Sequence, residues 1–79
     1  MASILTLADL TDGQAAYIDT LQTDGLLRRR LLDLGFTPGA FIRCLWHSAS
    51  GDPAAYCIRG TVIALRQNDA SQIIITNLC

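Results

Sequence analysis

Turn signals cut this chain into short pieces. Asp12-Gly13, Thr23-Asp24-Gly25, Gly35, Pro38-Gly39, Gly51-Asp52-Pro53 and Arg59-Gly60 follow one another at intervals of roughly 8–12 residues or less. Between them there is room for short strands and one short helix, and for nothing longer. A chain of 79 residues buries only about 60% of the surface it exposes when unfolded, so one modest core is all it supports. A single domain over residues 1–79 is expected.

Leu5 and Leu7 read as a short opening strand, followed by a turn at Asp12-Gly13 and a second strand, Gln14 to Leu21, with Ala16 and Ile18 on one side. Thr23-Asp24-Gly25 offers capping chemistry to a helix over Leu26 to Leu34, where Leu27, Leu31 and Leu34 recur at helical spacing and predict a core-facing seam. Gly35 falls where a left-handed residue ends a helix, and Phe36 is placed to pack back on Leu31 in a Schellman ending. Thr37-Pro38-Gly39-Ala40 has proline second and glycine third, as a type II turn requires.

The next two runs, Ala40 to His47 and Pro53 to Ile58, read as a hairpin across the loop Ser48 to Asp52. Pairing His47 with Pro53 sets Ile42 opposite Ile58, Cys44 opposite Tyr56 and Trp46 opposite Ala54, all on one apolar face. The other face then carries Phe41, Arg43, Leu45 and His47 with Ala55, Cys57 and Arg59. Arg59-Gly60 turns the chain into Thr61 to Leu65, which brings Ile63 beside Tyr56 and Leu65 beside Ala54, again inward. A helical turn near residues 67–70 and a last strand, Gln72 to Thr76, follow. The fold class is mainly β: a small, closed or nearly closed antiparallel barrel of five to six strands with one short helix near residues 26–34.

With 51% apolar and 16% charged residues the chain has the composition of a folded domain, and a net charge of -1 supplies no basic field for nucleic acid. Every acid is Asp and every base Arg. Met1 to Leu10 lacks a basic leader pattern and is interrupted by Asp9, and no run reaches the ~18 to 20 apolar residues of a membrane span. A cytoplasmic protein without membrane insertion is expected. Cys44, Cys57 and Cys79 show no CxxC spacing and are expected to be reduced thiols.

Catalytic chemistry finds no constellation here. His47 is the sole histidine, there is no Glu to orient it, and Ser48 and Cys44 are adjacent to it or face the other way along the strand. No glycine-rich loop precedes a lysine, so no phosphate cradle is expected. His47, Asp52, Cys57 and Cys79 are scattered, and the hairpin register sets His47 and Cys57 roughly 12 Å apart at ~3.4 Å per residue. No catalytic residue, metal site or cofactor is expected. Within Arg28-Arg29-Arg30 the side chains fan round the helix, and Arg30, at the edge of the leucine seam, is expected to pack its stem and bond carbonyls or Asp33.

Arg28-Arg29-Arg30-Leu31, Leu34-Gly35-Phe36-Thr37-Pro38-Gly39, Gly51-Asp52-Pro53, Arg59-Gly60, Ala64-Leu65-Arg66 and the stretch Ala70 through Ile75, in this order and spacing, resemble the FeoA family over nearly the whole chain. The resemblance implies an SH3-like barrel and a non-enzymatic accessory role in ferrous iron uptake. It also implies docking on the cytosolic part of the FeoB transporter, at its GTP-hydrolysing domain or its membrane-proximal part. The barrel is also similar to the C-terminal domain of metal-dependent repressors of the diphtheria-toxin-repressor type; a free-standing FeoA protein, without a DNA-binding helical domain before it, is expected. Two departures from the family pattern, Ala49-Ser50 and Trp46, fall at the hairpin tip.

The outer strip of Phe41 and Leu45 beside Arg43 and Arg59 has the aromatic and arginine composition of interface hot spots. Phe41, Arg43, Leu45 and Arg59 are therefore the expected docking residues, with Arg28 on the helix as a further contact. A homodimer is left open. Two other functional readings remain: a general SH3-like peptide-binding module, and a carrier or sensor of ferrous iron.

Overall fold

The period-two alternation of Ile42, Cys44, Tyr56 and Ile58 is realised as a pair of antiparallel strands around which the rest of the chain is arranged. The computed structural model describes residues 5–76. Cys79 lies outside the described residues. The strands are β1 (Leu5–Thr6), β2 (Ala15–Leu21), β3 (Phe41–His47), β4 (Ala54–Ile58), β5 (Thr61–Leu65) and β6 (Ile73–Thr76). A 3-10 turn at Leu7–Asp9, a helix α1 (Gly25–Asp33) and a short helix α2 (Gln67–Ala70) join them.

All six strands form one antiparallel sheet in the order β1-β6-β2-β3-β4-β5. Placing β6 between β1 and β2 brings both ends of the described chain together. Among the described residues no ladder joins β1 to β5, so the expected barrel is an unclosed sheet. The core buries Leu7, Leu10, Ile18, Ile42, Tyr56, Ile58 and Ile73, with Leu31 and Phe36 from the helix and its exit. Each such side chain, taken out of water, contributes about 1.5–3 kcal/mol.

The helix exit follows the sequence expectation closely. Phe36 N donates to Leu31 O at 3.0 Å and Gly35 N to Leu32 O at 3.1 Å, the paired bonds of a Schellman ending. Gly35 stands at φ 106°. The seam differs from expectation at its end: Leu31 is buried and Leu27 half-buried, but Leu34 is exposed. Leu34 is the C-cap residue, where the backbone leaves the helical path, and Phe36 takes the core position instead. The arginine assignment is also corrected. Arg30 is exposed, and it is Arg28 that reaches back, its Nη1 donating to Leu21 O at 3.1 Å to tie the first helical turn to the end of β2.

At the following turn, Ala40 N donates to Thr37 O at 3.0 Å and Gly39 has φ 88°, as expected of a type II turn. At the β4–β5 hairpin, Ile58 pairs with Thr61 across Arg59-Gly60, and Ile63 faces Tyr56 and Leu65 faces Ala54 as the pattern required.

The β3–β4 hairpin keeps the expected register for Ile42 with Ile58 and Cys44 with Tyr56, then slips. Leu45 is an extra residue, so Trp46 pairs with Ala55 and His47 with Ala54. This bulge overturns two expectations. Trp46 was set inward against Ala54 and is 55% exposed, and His47 moves off the outer face to the side of Cys44. Among the described residues no helix is long and apolar enough to cross a membrane.

Candidate functional site

Two places on the molecule gather chemistry. The first is the outer face of β3 and β4, where the alternation that buries Ile42 and Cys44 turns Phe41, Arg43 and Leu45 the other way. A groove of about 460 Å³ runs there, lined by Ala40, Phe41, Arg43, Leu45, Cys57, Arg59 and Gly60. Four of the five expected docking residues thus share one surface. Arg28 does not. It lies with Gly25, Arg29, Leu32 and Asp33 at a separate shallow depression on α1.

Phe41 is 43% exposed, yet it is held. Its ring meets Tyr17 edge-on at 5.5 Å and 68°, and the Arg43 guanidinium lies 5.7 Å from its centroid. Arg43 Nη1 also donates to Gly13 O at 2.8 Å, which fixes the guanidinium against the loop before β2. Arg59 Nη2 donates to Thr37 Oγ1 at 3.4 Å. Among the described residues no carboxylate forms an ion pair with either guanidinium, so the groove presents two uncompensated positive charges around an apolar floor. Val62, which the sequence reading left out, pairs with Cys57 and is exposed, extending the apolar part of the same face.

The second place is built by the bulge. On a regular strand residues three apart face opposite ways, but the extra Leu45 brings His47 to the side of Cys44. The loop before β2 closes over this point, with Gly13 N donating to Cys44 O and Cys44 N to Gln14 O, both at 2.8 Å. Asp12, carried on that loop, sets Oδ1 2.6 Å from His47 Nδ1. One ligand atom each from Asp12, Cys44 and His47 lies within 4.8 Å of the other two.

Two expectations fall here: that nothing orients His47, and that Cys44 faces the other way along the strand. The orienting carboxylate is an Asp 35 residues away, invisible to a search for local spacing. Asp52, in contrast, is spent on structure, its Oδ1 accepting from Gln67 N at 2.9 Å at the start of α2. Cys44 is fully buried, and burial first, then the Asp12 carboxylate, push its thiol above the ordinary range. A neutral, enclosed thiol cannot meet a substrate as a nucleophile, so the three residues do not make a Cys-His-Asp relay.

A family model described as the FeoA domain matches residues 5–77. The chain is 32% identical over 69 residues to the Fe(2+) transport protein A/Fe(2+) transporter FeoB fusion protein of Porphyromonas gingivalis, which covers 87% of this chain and 8% of that protein. It therefore spans less than a tenth of the length of that curated relative. Among solved structures, the FeoA protein of Chlorobium tepidum superimposes with a TM-score of 0.86 at 31% identity over 90% of this chain and 68% of that one. FeoA of Stenotrophomonas maltophilia complexed with zinc, described as an SH3 domain protein, does so with a TM-score of 0.82 at 26% identity over 91% of this chain and 89% of that one. The architecture here is accordingly SH3-like and mainly β.

Proposed function

Because the chain belongs to the FeoA family, whose role is in ferrous iron transport, we propose that it is a cytoplasmic, non-enzymatic accessory protein that docks on the cytosolic part of a FeoB-type transporter through the outer face of β3 and β4. The observation that carries this reading is the fusion relative, in which a segment like this chain and the transporter are one polypeptide. Joining two modules raises their effective concentration, which is useful when they act on one another. The groove supplies the chemistry. Phe41 and Leu45 offer an apolar floor and Arg43 and Arg59 two unpaired guanidiniums, a set suited to an apolar segment of the transporter flanked by carboxylates.

The test is calorimetric binding of the whole chain to the soluble cytosolic domain of such a transporter. Phe41→Ala and Arg43→Ala are each expected to cost about 2 kcal/mol of binding, roughly 30-fold in Kd, with little change in melting temperature. Arg28→Ala separates the two surfaces, because Arg28 lies outside the groove. Loss of binding in Arg28→Ala, with both groove variants binding normally, would move the interface to α1.

A further inference from the structure

We propose that Asp12, Cys44 and His47 form a binding site for one divalent first-row transition-metal ion, held through a carboxylate oxygen, a thiolate sulfur and an imidazole nitrogen, with a fourth position open to solvent. The donor set carries the chemical class. Sulfur and imidazole select borderline ions such as zinc, cobalt or ferrous iron, and a site with only one carboxylate is poor for magnesium or calcium.

Geometry supports it. Bonds of about 2.0–2.3 Å at tetrahedral angles place ligand atoms roughly 3.3–3.6 Å apart. Here the hydrogen-bonded pair His47 Nδ1 and Asp12 Oδ1 stands at 2.6 Å and no pair exceeds 4.8 Å. Changes in separation of at most about 1.5 Å convert one arrangement into the other. Asp12 is the member free to make them, since its side chain is 63% exposed while that of His47 is 30% exposed and Cys44 is enclosed. The three thus form a graded entry, with the soft ligand at the bottom and the carboxylate at the mouth.

The bulge is an independent observation. A regular β3 would have pointed His47 away from Cys44, and bulges recur where a strand must re-aim a functional side chain. Charge also balances. On binding, the Cys44 S–H bond gives its proton to solvent as the S–metal bond forms. The thiolate and the Asp12 carboxylate then neutralise the two positive charges of the ion, leaving a neutral, half-buried centre. The cluster shares no residue with the outer groove, so the outcome of its test leaves the docking reading standing or falling on its own.

Untagged, metal-free protein is titrated with Co²⁺ and followed by absorption. One ion per chain is expected, with the visible bands of a tetrahedral cobalt centre and a thiolate-to-cobalt charge-transfer band. Cys44→Ala should abolish the charge-transfer band, and His47→Gln should weaken Kd at least about tenfold. Cys57→Ala and Cys79→Ser should leave both readouts as they are. His47→Gln changes a half-exposed side chain and keeps the test decisive if Cys44→Ala fails to fold. Absence of the charge-transfer band in the unmodified protein, its survival in Cys44→Ala, its loss in Cys57→Ala or Cys79→Ser, or an unchanged Kd in His47→Gln would each overturn the site.

Discussion

Arg59 lies in the space that Gly35 leaves by having no side chain: a Cβ on Gly35 would stand 2.6 Å from Arg59 Cδ and 2.8 Å from its Nε. The end of α1 and the β4–β5 turn are thereby interlocked, and the guanidinium of Arg59, a residue that lines the outer groove, is steered toward Thr37.

Gly35→Ala should therefore destabilise the domain twice over. The backbone there has φ 106°, which costs a residue with a Cβ about 1–3 kcal/mol, and Arg59 must also move aside. Thermal melts of Gly35→Ala, Arg59→Ala and the double variant resolve the two contributions. The double variant is expected to lose less than the sum of the singles, and strict additivity would show that Arg59 does not occupy that space.

Gly39→Val is expected to cost at least about 1 kcal/mol and to lower the melting temperature. A Cβ at Gly39 meets nothing within 4 Å, so the whole effect comes from the φ of 88° that the third place of this turn demands. An unchanged melt would mean that the turn has another conformation.

Tyr56 makes stability fall in alkaline solution. Its hydroxyl is buried and donates to Leu7 O, and burial first, then Cys44 and Asp52, push the phenol from about 10 up to about 12. Below about pH 10 the phenol is neutral in both states. Between about 10 and 12 the unfolded chain ionises and the folded one does not, so unfolding is favoured as pH rises. The sequence has no lysine, so no side-chain ammonium group titrates in that window. Denaturant unfolding at several pH values should show a slope that Tyr56→Phe reduces, and an identical slope in the two proteins would refute the assignment.

The thiols should separate by reactivity. Cys44 is buried and Cys57 partly exposed on the opposite face, and both are free. In a Cys79→Ser background, native protein should react with a thiol reagent at Cys57 promptly and at Cys44 only on unfolding. An intramolecular bridge between Cys44 and Cys57 in native protein would contradict the β3–β4 register.

What the sequence determined by itself was local. Gly35, Pro38-Gly39 and Arg59-Gly60 each announce a backbone conformation that few residues tolerate, and the structure has the predicted turn at every one. The alternation of Ile42, Cys44, Tyr56 and Ile58 defined the buried face, because a strand has only two sides and one must leave water. The same alternation turned Phe41, Arg43 and Leu45 outward to line one groove. Tertiary structure decided the rest. Composition gives no sign of the bulge at Leu45, since two registers of similar apolar content compete there, and the slip that wins exposes Trp46 and turns His47 toward Cys44. Arg28 rather than Arg30 found a carbonyl because the end of β2, not the helix itself, supplies the acceptor. Asp12 reaches His47 only because β2 and β3 pair and bring the preceding loop over the bulge. A contact 35 residues long in sequence carries no local signal, and only the folded path of the chain creates it.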